Sequence, residues 1–296
     1  MTAAPATRPG VGGLPLVTLR AEDGAAADVY LHGAHVTSWR PAPDDEERLF
    51  LSARSEFRPG AAIRGGIPVI FPQFAAEGPL PRHGFARTAP WRLDDVHRQE
   101  MGDAVATFTL SDSAETHAVW SAEFCATLTV RVGGSRLVVE LGVENTGASP
   151  FSFTCALHSY LRVQDIGQVE VMGLRGASYR ESGDPTKLRR DDAPTLRVSG
   201  ELDRVYVSAP RALVLREPQR TLGIELRDFP DVVIWNPGRA RASALPDMEP
   251  DGERAMLCVE AAAVQIPITL ATGGRWHGTQ TLDAAVRMTA GTGRNR

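Results

Sequence analysis

The chain has 296 residues, 43% of them hydrophobic and 23% charged, with a formal net charge of −4. That length can bury a large core within one domain. The acidic balance argues against broad binding to nucleic acid or to a membrane surface, so any anion must be met by a local cluster.

No apolar run reaches the ~18 residues that a membrane span requires. The opening "MTAAPATRPGVGG" lacks a hydrophobic stretch behind basic residues and reads as a frayed tail, not a secretory signal. Cys125, Cys155 and Cys258 are odd in number, lack CxxC spacing and lie in apolar segments. They are expected to be buried thiols of a cytoplasmic protein. One lysine, Lys187, stands against 31 arginines, so arginine identity alone says little about function.

The predicted elements are mostly strands. In chain order they are "LPLVTLRA", "ADVYLHGAHVTSWRP", "AVATFTLSD", "FCATLTVRVGGSRLVVELGVENTG", "FSFTCALHSYLRV", "ALVLREPQRTLGIELRDF" and "VVIWNPG". These runs are rich in Val, Thr, Leu and aromatics and are separated by Gly, Pro, Asn and Asp. Gly133-Gly134 marks the turn of a hairpin. Only "ARSEF" and "SALPDMEPDGERAML" have room for a helical turn or two, and the polar stretch 175–203 reads as a long loop. The expectation is an all-β fold, a large antiparallel β-sandwich. It is expected to form one domain over residues 12–290, with flexible tails at 1–11 and 291–296.

Common catalytic motifs are absent: no GxGxxG after a strand, no GxxxxGK[ST], no HExxH and no GxSxG. "HGAH" is the one close histidine pair, and His32 and His35 could be metal ligands or ordinary structural residues. In "FSFTCALHSYLRVQDI", strand alternation points Phe151, Phe153, Cys155 and Leu157 one way and His158, Tyr160 and Arg162 the other. His158 could then lie on the floor of a concave site or be a half-exposed strand residue. Glu260 interrupts the apolar run "MLCVEAAA". A buried carboxylate is paired or used, and desolvation raises its pKa toward that of a proton acceptor; a structural ion pair with an arginine is the alternative. Asp203 opens a predicted strand, where it could accept hydrogen bonds from sugar hydroxyls.

The stretch "IRGGIPVIFPQFAAEGPLPRHGFARTAPW" gathers Arg64, Arg82, His83 and Arg87 among glycines and prolines. Such a segment folds as an ordered loop. Arginine's planar fork matches phosphate oxygens, although turn capping and pairing with surplus carboxylates would need the same residues.

Together, "IRGGIPVIFPQF", "PRHGFARTAPW", "ALHSYLRVQDI", "ELDRVY", "VVIWNPG" and "MLCVEAA" resemble, in order and spacing, the hexose-6-phosphate mutarotases, or glucose-6-phosphate 1-epimerases, of the aldose 1-epimerase superfamily. The resemblance spans roughly residues 12–285. It implies a galactose mutarotase-like β-supersandwich with a shallow sugar cleft, a catalytic histidine at His158 and a catalytic glutamate at Glu260. It also implies substrate contacts at Arg64, His83, Arg87 and Asp203. Arg82 stands where the family usually has Gln and is assigned to substrate binding, and Arg275 replaces an acidic residue in "GGRWHGTQTL".

The implied reaction interconverts α and β anomers of glucose 6-phosphate and related aldohexose 6-phosphates through the open aldehyde. Glu260 is expected as the base at O1 and protonated His158 as the acid at the ring oxygen, on opposite sides of the hemiacetal. No cofactor and no metal are expected. The expected partner is a small-molecule hexose 6-phosphate, with no nucleic acid and no membrane, and the chain is expected to be a monomer. The rivals are an epimerase of unphosphorylated aldoses and a non-catalytic carbohydrate-binding β-sandwich. A glycoside hydrolase would require two flanking carboxylates, and only Glu260 has a persuasive setting.

Overall fold

The computed structural model describes residues 7–285 apart from 43, 183 and 185. Its strands form three antiparallel sheets. A four-stranded sheet runs Arg8–Pro9, Pro15–Arg20, Ala26–Tyr30 and His35–Arg40. A nine-stranded sheet is built around the hairpin Phe124–Gly133 and Arg136–Asn145, flanked by Ala104–Ser111 and Arg275–Asp283. An eight-stranded sheet has Leu202–Val207, Asp231–Asn236, Met256–Leu270 and Phe151–Leu157 as adjacent strands, with Tyr160–Arg162 also paired to Met256–Leu270. The α-helices described are two short ones, Ala114–His117 and Gly238–Ser243. No described helix is long and apolar enough to cross a membrane.

Period-two patterning explains the layering. In Phe124–Gly133 every second residue is buried, so Phe124, Ala126, Leu128, Val130 and Val132 face inward. They join an apolar cluster that reaches from Val17 to Leu282 and draws on all three sheets. Met256–Leu270 is buried on both faces over Met256–Val264. Leu257, Val259, Ala261 and Ala263 enter the main core. On the opposite face, Met256 and Cys258 pack with Phe50, Tyr160 and Trp235, while Ala262 and Val264 pack with Ile70, Phe74 and Val233. Glu260 lies on this second face, between the two apolar patches.

Several expectations need correction. The hairpin turn is Gly134-Ser135, because Gly133 still pairs with Arg136. The stretch 175–203 carries the short strands Ser178–Glu181, Arg189–Arg190 and Leu196–Arg197; they extend sheet edges, where neighbouring strands compensate for weak local preference. The opposite edge of the nine-stranded sheet is Arg92–Arg98, "RLDDVHR", whose charges hide its strand character and also discourage further pairing. "ARSEF" forms no helix, and its neighbour "SALPDMEPDGERAML" contributes a 3₁₀ turn at Gly252–Ala255. Arg8 and Pro9 pair with Leu16 and Pro15, so the paired chain begins before residue 12. Of the tails expected at 1–11 and 291–296, residues 1–6 and 291–296 lie outside the described residues.

Candidate active site

Adjacent strands of the eight-stranded sheet lay out the floor of a cleft. The register Leu157↔Ala261 and Tyr160↔Cys258 sets His158 opposite Glu260. The His158 N–H donates sideways to Pro68 O at 3.0 Å, so His158 and Glu260 form a non-hydrogen-bonded pair, the kind that brings side chains closest. His158 Nδ1 lies 3.3 Å from Glu260 Oε1. One row along, Asp203 sits beside Trp235, which sits beside Cys258. The His158 ring stacks on Tyr160 with centroids 4.7 Å apart and meets Trp235 edge-on. These contacts fix the plane of the imidazole.

The loop from Arg64 to Arg87 forms the rim. Gly66 has φ of +61°, and a Cβ there would come within 2.2 Å of Val36 O, so only glycine lets the chain pass. Gly84 is equally constrained, with Phe71 O 2.1 Å from a notional Cβ. His83 itself has φ of 67°, a strained conformation for a residue with a side chain. Its backbone N–H donates to Ala75 O, and its Nδ1 accepts from Ala75 N–H at 3.3 Å. The neutral tautomer with Nε2–H follows. "HGAH" belongs to this scaffold: His32 Nε2 contacts Ala61 O at 2.6 Å and His35 Nε2 contacts Gly65 O at 2.7 Å. Both rings serve the backbone that carries Arg64, which replaces the metal-ligand reading of that pair.

The seven sequence-selected residues Arg64, Arg82, His83, Arg87, His158, Asp203 and Glu260 line one cleft of about 370 Å³. Sequence reasoning missed Trp235, Arg241 and Phe74, which also line it, and Asp247, which holds Arg64. A larger hollow of about 640 Å³, bounded by Phe85, Arg92 and Glu115, contains no histidine and no paired acid and base. Arg162, expected beside His158, instead donates to Leu49 O and packs over Phe50, away from the cleft.

Electrostatics separate the floor from the rim. Burial, reinforced by Asp203, pushes the Glu260 carboxyl well above the usual carboxylate range. Burial also pushes His158 well below the usual imidazole range, and His83, Arg87 and Arg64 add to the effect. Burial thus disfavours the charged form of both groups, although His158 Nδ1 and Glu260 Oε1 approach one another closely. His158 is 7% exposed and no described arginine pairs with Glu260, so neither a half-exposed histidine nor a structural ion pair with arginine describes the pair. His83 is lowered to about 3 by burial and by Arg87, Arg82 and Arg64. Asp203 is raised by burial, against the pull of Arg241, whose Nη1 lies 3.6 Å away.

The guanidinium groups are not equivalent. Arg64 donates to Tyr160 Oη at 2.9 Å and to Asp247 Oδ1 at 3.1 Å. Burial would lower its pKa, but Tyr160 and Asp247 more than offset that and raise it. Arg241 is held by Glu201 at 2.7 Å. Arg87 donates to the backbone oxygen of Arg82 at 3.3 Å. Burial lowers Arg87, and Arg64 and Arg82 lower it further. Among the described residues neither Arg82 nor Arg87 has a carboxylate partner.

His158, Cys258 and Glu260 offer donor atoms within 4.8 Å of one another, the one grouping with metal-ligand spacing among the described residues. It fits a cation poorly. Burial disfavours the thiolate and the carboxylate that a cation would need, and Arg64 and Arg87 place positive charge around His158.

Comparison with known proteins places this geometry in a family. Residues 15–283 match the aldose 1-epimerase family. A protein of Cenchrus ciliaris named "Putative glucose-6-phosphate 1-epimerase" is 37% identical over 281 residues, covering 92% of this chain and 85% of the relative. A protein of the same name from Escherichia coli is 38% identical over 241 residues, 80% of this chain and 79% of the relative. The crystal structure of a "putative mutarotase" from Salmonella typhimurium superposes with a TM-score of 0.86 at 31% identity, covering 95% of this chain and 93% of that one.

Proposed function

We propose that this chain, which belongs to the aldose 1-epimerase family, is a hexose-6-phosphate mutarotase that interconverts α and β anomers by ring opening and closure. The observation that carries this reading is a buried imidazole and carboxyl in contact on a cleft floor, beneath two arginines that have no carboxylate partner. An acid and a base in contact suit proton transfer. Arg82 and Arg87 together supply two positive charges, matching a phosphate monoester that carries about −1.5 to −2 at pH 7.

The 3.3 Å contact leaves no room for a pyranose between His158 and Glu260. None is needed, because O1 and the ring oxygen are both bonded to C1 and can be served from one side. We assign the steps as a relay. The O1 hydroxyl gives its proton to Glu260 Oε2, which is buried without a hydrogen-bond partner. The proton on Oε1 passes to His158 Nδ1, and Nε2–H protonates the ring oxygen as its bond to C1 breaks. Rotation about C1–C2 presents the other face of the aldehyde, and the three transfers run backward on closure. The relay is assigned neutral starting groups, the forms that burial favours, with a neutral imidazole fed by a carboxylic acid in place of the expected imidazolium. Positioned acid–base catalysis of this kind contributes ~10²–10⁴-fold.

Asp203 and the Nε2–H of His83 are assigned to sugar hydroxyls, and Arg64, held by Asp247 and Tyr160, to orienting the ligand rather than neutralising it. The proposed site is complete within this chain and needs no residue from a second copy. Free thiols at Cys125, Cys155 and Cys258 support a reducing, cytoplasmic setting. The test is anomer-exchange NMR on glucose 6-phosphate, glucose and galactose with and without the protein. Faster exchange of the phosphorylated sugar alone is expected. Equal acceleration of free sugars would assign the unphosphorylated reaction, and no acceleration would leave a binding module.

A further inference from the structure

The ladder between the two catalytic strands has a gap. Residues 159 and 259 are opposed, and the Val259 N–H donates to Ser159 O at 3.1 Å. The return bond is missing, because the Ser159 N–H turns back to Leu157 O at 2.9 Å. Val259 O would be a buried acceptor without a ladder partner, a costly state. The missing donor comes from the other sheet. Gln280, on Arg275–Asp283 and 1% exposed, donates from Nε2 to Val259 O at 2.9 Å. Its Oε1 accepts from Ser159 Oγ at 2.5 Å. Only this amide orientation serves both, since a carbonyl cannot donate.

Gln280 lies on the inward face of its strand, in line with Leu282, where the surrounding cluster is apolar. An amide there is tolerated only because both of its ends are satisfied. Its two partners are the residue after His158 and the residue before Glu260. We propose that Gln280 is a positioning residue that sets the separation of His158 and Glu260 from beneath the sheet. The gap frees the chain at 158–159 to aim the imidazole, and the side chain of Gln280 restores the link that the gap removes. It touches neither substrate nor reacting atoms.

This inference rests on the acid–base reading of His158 and Glu260, so those two residues are varied in parallel. Gln280→Met keeps length and volume but removes donor and acceptor. It is expected to lower kcat for glucose 6-phosphate anomer exchange by on the order of 10- to 100-fold, the effect of a misplaced catalytic group. KM should stay within about twofold, since the rim arginines are not attached to this link. Gln280→Glu keeps an acceptor and has a donor only when protonated. Its kcat relative to the parent should therefore fall as pH rises while circular dichroism at each pH shows the variant still folded, a combination that loss of stability alone does not produce. If Gln280→Met keeps its kcat, or does not fold while the Gln280→Glu ratio is flat with pH, the positioning role is overturned. If His158→Ala and Glu260→Gln keep full kcat, the acid–base reading itself fails, whatever the Gln280 variants do.

Discussion

The floor and the rim of the cleft are built by different means. His158, Glu260 and Asp203 are carried on or beside paired strands, at positions decided by register and, for the first two, by contacts from the opposite sheet. Arg64, Arg82, His83 and Arg87 come from a loop with little regular structure. Side chains pin that loop: His35 holds Gly65, Gln73 bonds Leu80 in both directions, and Glu77 grips the buried Arg180 through both oxygens. Burial disfavours charge on the ionisable pair of the floor, whereas the rim keeps its guanidinium charge. Proton transfer is thus assigned to the part of the molecule with the least freedom, and charge recognition to a loop that is ordered without being part of the ladder.

That division predicts separable kinetic effects. The largest belongs to the floor: His158→Ala or Glu260→Gln should lower kcat by ~10²–10⁴-fold with an unchanged circular dichroism spectrum. A raised KM accompanying the loss of kcat would instead show that floor and rim act as one unit. Next comes the rim, where Arg87→Ala should raise KM for glucose 6-phosphate about 10- to 100-fold, the worth of charge-assisted hydrogen bonds of about 1.5–3 kcal/mol. Free glucose should be indifferent to that change, and steady-state kinetics on both sugars decides it. Arg82→Gln removes an exposed charge, so KM should rise only about two- to fivefold, and added salt should erase the difference.

The smallest effect is on stability. Burial lowers His35 to about 4, with the Gly65 carbonyl opposing and His32 and Arg87 reinforcing that shift. Its folded pKa lies below the unfolded value near 6.5, so its contribution is complete above that pH and is lost as pH falls through the folded value. Between pH 6.5 and 5.5 this amounts to roughly 1 kcal/mol. Denaturant midpoints should fall over that interval, and His35→Gln should flatten the slope. An unchanged slope would mean that His35 is not held neutral by its burial.

Much of the site was readable because each signal was local. Glu260 announced itself as a carboxylate within an apolar run, and His158 by its place in an alternating strand. The rim announced itself by arginines set among glycines and prolines. Asp247 carried no such mark: it lies in an ordinary turn after Gly238–Ser243, and only the fold carries it to Arg64. Arg92–Arg98 was hidden because its charges break the apolar alternation from which strands are read. Gln280 stood in "GGRWHGTQTL" with nothing in the sequence to mark it.

The amino-acid sequence by itself determined the β architecture and the core faces of the long strands, and it marked His158, Glu260 and the rim arginines as candidates. These follow from periodicity and side-chain chemistry, which neighbouring residues are enough to express. The tertiary structure alone decided that His158 stands opposite Glu260, that Asp247 occupies Arg64 while Arg87 has no carboxylate partner among the described residues, and that burial disfavours the charged form of both floor groups. Register, pairing and burial are relations between segments distant in the chain, and a protonation state is a property of the enclosure those segments make.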